Sequence, residues 1–243
     1  PRDATPLTPT GALLPRLSEH LALAGRATRT VTHDTQDHED PPPKRRGTAI
    51  LEKILVRIEA AETAGIESMN INTVVQRGVN DHTIMDLLEH FRGTNHQVRL
   101  IEIMDVGNCN HWERSDVVSS AEWIDRIHAR WPIQPIRRRS AAETAQRFEY
   151  VDGHGRIGFI SSITRPFCGG CTRARITADG IFYTCLFASK GINLMPLIRH
   201  SETPSELRKK IRDVWEGRDD RYSEERGSPG HDREKVEMYR MGG

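Results

Sequence analysis

Cys168, Cys171 and Cys185 form a C-x2-C-x13-C set and account for three of the four cysteines in the 243-residue chain. Three thiolates at this spacing can converge on one metal centre, one ligand short of a closed tetrahedral zinc site. Three thiolates can equally hold a [4Fe–4S] cluster with one iron left open to a further ligand. His200 is the candidate fourth ligand for zinc, whereas a substrate atom would complete the cluster. Structural thiols and a redox C-x-x-C pair are the competing readings, and Gly169 and Gly170 favour a loop that wraps a metal. Cys109, in Gly107-Asn108-Cys109-Asn110, stands apart as a free thiol. Arg173 and Arg175 follow at i and i+2, a spacing that puts both on one face of a strand. Their guanidinium forks would bind phosphate or carboxylate beside the metal, unless they are a solvated pair. The run from Asp34 to Asp40, with His33 and His38, reads as a solvated loop rather than a divalent-metal site.

These residues need elements to hold them. Ala174–Ile176 and Ile181–Thr184 flank Ala178-Asp179-Gly180, and Asp-Gly between β-prone runs predicts a hairpin. That hairpin brings Cys185 to the end of a strand facing the Cys168/Cys171 loop. Upstream, Ile50, Leu51, Ile54, Leu55 and Ile58 recur at helical spacing up to Gly65, and Met69–Val75 is a β-branched run. Ile84, Leu87, Leu88 and Phe91 form the apolar face of a helix ended by Gly93, and Val98–Met104 is the next strand. Ser119-Ser120-Ala121-Glu122 is a capping box ahead of Trp123, Ile124, Ile127 and Trp131. Strand and helix alternate here as in βα units on a parallel sheet. Arg156–Thr164 alternates as a strand, and Thr203-Pro204-Ser205-Glu206 opens a last helix carrying Leu207, Ile211, Val214 and Trp215. Gly217–Arg233 reads as a charged loop or tail. Residues 1–47 differ from the rest: a leucine-rich helical stretch (Leu13 to Leu23) with Gly25, a β-prone Thr28–Thr32, and the exposed run Pro41 to Gly47.

Lys+Arg 35 against Asp+Glu 34 leaves a net charge of +1, so the chain has no bulk field to draw nucleic acid. Lys44-Arg45-Arg46 and Arg137-Arg138-Arg139 read as solvated loops, and they would become contacts only in a zinc-bound interaction domain. No apolar run is long enough for a membrane span, which predicts no membrane partner. Clustered thiols without a disulfide pattern suit a reducing cytoplasm.

The stretch Phe167-Cys168-Gly169-Gly170-Cys171-Thr172-Arg173-Ala174-Arg175-Ile176-Thr177-Ala178-Asp179-Gly180, continued by Tyr183-Thr184-Cys185-Leu186-Phe187, resembles the MoaA family of GTP 3′,8-cyclases. So do Arg77-Gly78-Val79-Asn80-Asp81, Phe91-Arg92-Gly93-Thr94, Arg99 through Gly107, Asp220 through Glu224, and Lys235 through the terminal Gly242-Gly243. These are radical S-adenosylmethionine enzymes of molybdenum cofactor biosynthesis. The resemblance implies conversion of GTP to (8S)-3′,8-cyclo-7,8-dihydroguanosine 5′-triphosphate. It implies a GTP-side [4Fe–4S] cluster on Cys168, Cys171 and Cys185, with Arg173 and Arg175 near it and Arg99 gripping the triphosphate. Gly242 and Gly243 match a tail that reaches into the active site, where a side chain would prevent close approach.

The family also carries a C-x3-C-x2-C loop whose cluster cleaves S-adenosylmethionine, and no such run occurs in these residues. Asn70 stands where the family has a lysine. The expected fold is therefore α/β, a partial, N-terminally truncated (β/α) TIM-type barrel with a C-terminal α+β cluster-binding region. Its expected divisions are a remnant of the front barrel over 1–47, the back half over 48–140, and the cluster and GTP region with its tail over 141–243. An open barrel edge predicts poor solubility or oligomerisation. A degenerate paralogue that binds nucleotide without turnover is the alternative.

Overall fold

The computed structural model describes residues 28–33, 55, 56, 58–66, 68–138, 140, 143–200, 203–228 and 234–241. The leucine-rich stretch, the Asp34–Asp40 run, the proline run, Arg139 and the Gly242-Gly243 pair lie outside the described residues. The chain forms two compact units. One takes the residues up to Ile103 together with Ser115–Thr164, and the other takes Met104–Arg114 and Arg165–Gly243.

The first unit is built on a six-stranded sheet in the order β1-β2-β3-β6-β5-β4. Its strands are β1 Thr28–His33, β2 Ser68–Val75, β3 Gln97–Glu102, β4 Ile133–Pro135, β5 Gln146–Tyr150 and β6 Arg156–Ile160. β1, β2, β3 and β6 run parallel, which the alternation of strand and helix predicts for β2 and β3. β4 and β5 add on antiparallel, so the sheet is mixed and no barrel closes among the described residues.

Period-two alternation decides which face is apolar. Met69, Ile71 and Val75 on β2, Val98 and Leu100 on β3, and Ile157 and Phe159 on β6 are buried in one core. Two helices seal that face. Ile84–Phe91 contributes Ile84, Leu87, Leu88 and Phe91, and Ser120–Arg130 contributes Trp123 and Ile127. The second helix starts where the capping box predicts, with Ser119 Oγ accepting the Glu122 amide at 3.1 Å. Burying a side chain such as Ile127 contributes about 1.5–3 kcal/mol. Among the described residues no helix is long and apolar enough to cross a membrane.

One charged residue also points into this core. Glu102, 2% exposed at the end of β3, accepts the Ser120 amide and hydroxyl, the Ile163 and Thr164 amides, and the Thr164 hydroxyl. A buried carboxylate is tolerated when its oxygens are saturated in this way. Glu102 thereby ties the start of the Ser120–Arg130 helix and the turn after β6 to the end of β3.

The second unit holds a three-stranded antiparallel sheet of β7 Arg175–Ile176, β8 Ile181–Tyr183 and β9 Ile192–Asn193. The β7–β8 turn is the predicted hairpin. Its Gly180 has φ +78°, and a Cβ there would lie 2.4 Å from Met195 Cγ. Helices Met195–His200 and Pro204–Glu216 follow. Thr203 precedes the latter as predicted, but its hydroxyl pairs with Ser205 Oγ at 2.6 Å and makes no cap bond. The stretch expected to be loop from Gly217 contains a short helix, Tyr222–Glu225. Tyr183, Ala188 and Met241 form a small core with Ile181, Cys185, Leu186 and Val236.

Candidate functional site

The three cysteines of the C-x2-C-x13-C set all lie in the second unit. Cys168 opens a 3-10 turn, Cys168–Gly170, whose Cys171 amide closes back on the Cys168 carbonyl at 3.1 Å. Cys185 follows β8. Residues 218–224 brace both segments. Glu224 accepts the Gly169 amide at 3.2 Å, Arg218 donates to the Cys171 carbonyl, and Thr184 donates to Asp220. Arg221 in turn fixes Glu224, with its Nε 2.6 Å from Oε2. The Asp220–Glu224 block thus holds the two cysteine-bearing loops from one side.

All three thiols are free and half-buried. Cys185 accepts the Phe187 amide and Cys171 accepts an Arg173 Nη, each at 3.4 Å. Burial pushes the Cys185 thiol up, and the charges of Asp220, Cys168 and Cys171 push the same way against the Phe187 amide. Burial also raises Cys171, but the Arg173 hydrogen bonds and the charges of Arg173 and Arg218 outweigh it and leave the thiol lowered. Cys185 thus feels the other two cysteines. Among the described residues, however, no three His, Cys, Asp or Glu side chains close up to metal-holding spacing.

Arg175 lies on β7 and Arg173 before it, so only one of the pair is a strand residue. Arg173 is exposed and stacks over Phe167 at 4.8 Å. Arg175 is half-buried. Burial and then the Arg173 charge lower its pKa, while Cys185 and Cys171 oppose that shift. Two guanidinium groups thus accompany the thiols. The set matches a three-thiolate cluster in donor type but not in spacing: three free sulfurs, two already accepting N–H bonds, and cationic partners to offset thiolate charge. His200 is exposed at the end of its helix and takes no part in that set.

Arg99 belongs to the first unit. On the sheet face opposite the core it pairs in register with Asn72 of β2 and Gly158 of β6, and Arg147 of β5 pairs with Gly158 in turn. Gly158 makes room for it, because a Cβ there would come within 3.0 Å of Arg99 Cγ. Burial, then Arg147, lowers the Arg99 pKa, yet a guanidinium stays charged. Arg99 Nε, Gln97 Nε2 and Asn72 Oδ1 are buried without hydrogen-bond partners among the described residues. Asn70 pairs with Gln97 one row along the same strands.

Sequence reasoning assigned no role to Asp105 in the second unit. It accepts Tyr222 Oη at 2.6 Å, Arg226 Nε at 2.9 Å and Lys235 Nζ at 2.9 Å. Its signal was visible only as separate family-like blocks around Asp105, Tyr222 and Lys235.

The sequence model of the family described as Molybdenum Cofactor Synthesis C matches residues 96–224. A GTP 3′,8-cyclase of Xanthomonas campestris pv. campestris (strain B100) is 46% identical over 237 residues, which is 98% of this chain and 69% of that protein. This chain belongs to the GTP 3′,8-cyclase family. Other GTP 3′,8-cyclases of the family agree with it. That of Synechococcus sp. (strain WH7803) is 45% identical over 82% of this chain and 58% of its own length. That of Acidothermus cellulolyticus is 43% identical over 90% and 61%. The family match spans Arg99, all three cysteines, Arg173, Arg175 and the Asp220–Glu224 brace.

Proposed function

We propose that this chain acts in the cyclisation of GTP to (8S)-3′,8-cyclo-7,8-dihydroguanosine 5′-triphosphate, with Cys168, Cys171 and Cys185 holding a [4Fe–4S] cluster on the GTP side. What supports this reading is the chemistry of three free thiols in one unit, two of them accepting N–H bonds, with the Arg173 and Arg175 charges acting on them. A cluster held by three thiolates supplies an open iron that can ligate the guanine base.

The other roles fall to the protein. Arg173 and Arg175 offset the thiolate charge and offer donors to an anionic nucleotide. Arg99 takes phosphate oxygens, and its unpartnered Nε, with Gln97 Nε2, gains the acceptor it lacks. Gly242 and Gly243 follow Met241 and would approach the reacting nucleotide without side chains in the way. β1, β2, β3 and β6 would be the parallel part of a (β/α) barrel. S-adenosylmethionine and a second cluster belong to the same reading through the family, and a reducing cytoplasm suits the free thiols.

The test is anaerobic reconstitution with iron and sulfide, followed by GTP titration of the chain and of Cys185→Ala. Cluster absorbance and tight GTP binding are expected, and both should be lost in the variant. Zinc without iron, or GTP binding indifferent to Cys185, would overturn the reading. These residues hold one three-cysteine set, which favours a second reading in which they bind nucleotide without turnover. Cyclised product formed from GTP and S-adenosylmethionine by this chain alone would remove it.

A further inference from the structure

The last described residues of the chain do not trail free. The Asn108 side-chain amide pairs with the backbone of Lys235: the Lys235 amide donates to Asn108 Oδ1 at 3.0 Å, and Asn108 Nδ2 donates to the Lys235 carbonyl at 2.7 Å. Two residues on, Glu237 Oε1 accepts the Asn108 amide and Asn108 Nδ2, both at 2.9 Å. Gly107, with φ +65°, clears the way, since a Cβ there would lie 2.2 Å from Glu237 Oε2. Lys235 Nζ then reaches back to Asp105, meeting its carbonyl at 2.7 Å and its carboxylate at 2.9 Å. Beyond these contacts the Val236 amide donates to the Ala188 carbonyl at 3.3 Å, and Met241 is 3% exposed in the small core that includes Cys185.

We infer that the loop Asp105–Cys109 is a receptor for the C-terminal segment and that Asn108 is the positioning residue that fixes the path of residues 235–241. Asn108 uses its amide, both side-chain groups and its place beside a glycine on one short stretch, 235–237. Such saturation is what a fixed tail needs, because one or two surface hydrogen bonds would leave it fraying. Met241 packs in the small core that Cys185 joins. The link to turnover rests on the proposed function, but docking of the tail does not.

The test is hydrogen exchange of the full chain, read by mass spectrometry on the peptide covering 234–241, with peptides of the first sheet as the internal control. Asn108→Ala should lower protection of the tail by about tenfold or more and leave the sheet peptides unchanged. Gly107→Ala should do the same by driving Glu237 away, and Glu237→Gln, which keeps the acceptor, should stay within about twofold of the parent. Unchanged tail protection in both Asn108→Ala and Gly107→Ala would overturn the receptor. In the reconstituted enzyme Asn108→Ala should lower kcat with KM for GTP unchanged. An unaltered kcat with a loosened tail would overturn the positioning role. Absence of turnover in the parent chain would instead count against the proposed function, and the exchange result would stand.

Discussion

Thr164 donates its hydroxyl to Glu102 across 2.6 Å, so the end of β3 and the turn after β6 share one buried carboxylate. Ser120 joins them through its amide and hydroxyl, and Ser161 donates to the Ser120 hydroxyl at 2.7 Å. Glu102→Ala would strand several buried donors at once. A loss of about 3 kcal/mol or more in stability is expected, measured by denaturant unfolding. Glu102→Gln, which keeps one acceptor oxygen, should cost less. Equal stability of the alanine variant and the parent would refute the role given to this residue.

Asp105 sets an acid limit. Burial alone would raise its pKa, but hydrogen bonds from Tyr222, Arg226 and Lys235 and the Arg226 charge leave it lowered. A lowered carboxylate contributes stability that is present above its ordinary pKa and is lost as pH falls through the folded value. Tail protection should therefore collapse on acidification below the usual carboxylate range. Asp105→Asn should show weaker protection at neutral pH and a flatter acid profile in the same exchange measurement.

Tyr150 sets an alkaline one. Burial pushes its phenol up to about 12, with Arg92 opposing. The neutral form is favoured in the fold, so its contribution holds below the ordinary phenol pKa and is lost as pH rises toward the folded value. Near pH 11 the deficit should be about 1 kcal/mol. Denaturant midpoints at pH 9 and 11 should converge in Tyr150→Phe relative to the parent.

Gly158→Val should displace Arg99, because even a Cβ would sit 3.0 Å from Arg99 Cγ and 3.5 Å from Gln97 Nε2. Under the proposed function GTP affinity falls about tenfold, the value of one charged hydrogen bond, in a calorimetric titration. Arg99→Met should give a similar loss, and the two substitutions together should be far from additive.

Much of the molecule is legible from residue spacing. Ile84, Leu87, Leu88 and Phe91 mark a helix by period, and Ser119 and Glu122 mark another by their cap. Asp179-Gly180 marks the hairpin beside the cysteines. β5 escapes because Gln146, Arg147 and Glu149 leave Phe148 and Tyr150 as its only apolar signal, and its pairing with β6 gives it a place. Glu102 escapes for the opposite reason, since a carboxylate in an apolar strand reads as an exposed residue until its donors are seen. Arg173 and Arg175 share a neighbourhood but not a strand, because β7 is only two residues long. The contacts of Asp105 and Asn108 are not legible in sequence since their partners lie more than a hundred residues away.

The detour of Met104–Arg114 into the second unit orders the events of synthesis. Asp105 and Asn108 leave the ribosome well before Lys235, which is added 130 residues after Asp105. At ordinary elongation rates the wait is on the order of ten seconds. During that time the loop has a carboxylate and an amide with no tail to receive. Closure of this unit therefore waits for Lys235 to emerge, and a ribosome stalled short of that codon would hold a first sheet already able to fold while the second unit stays unfinished.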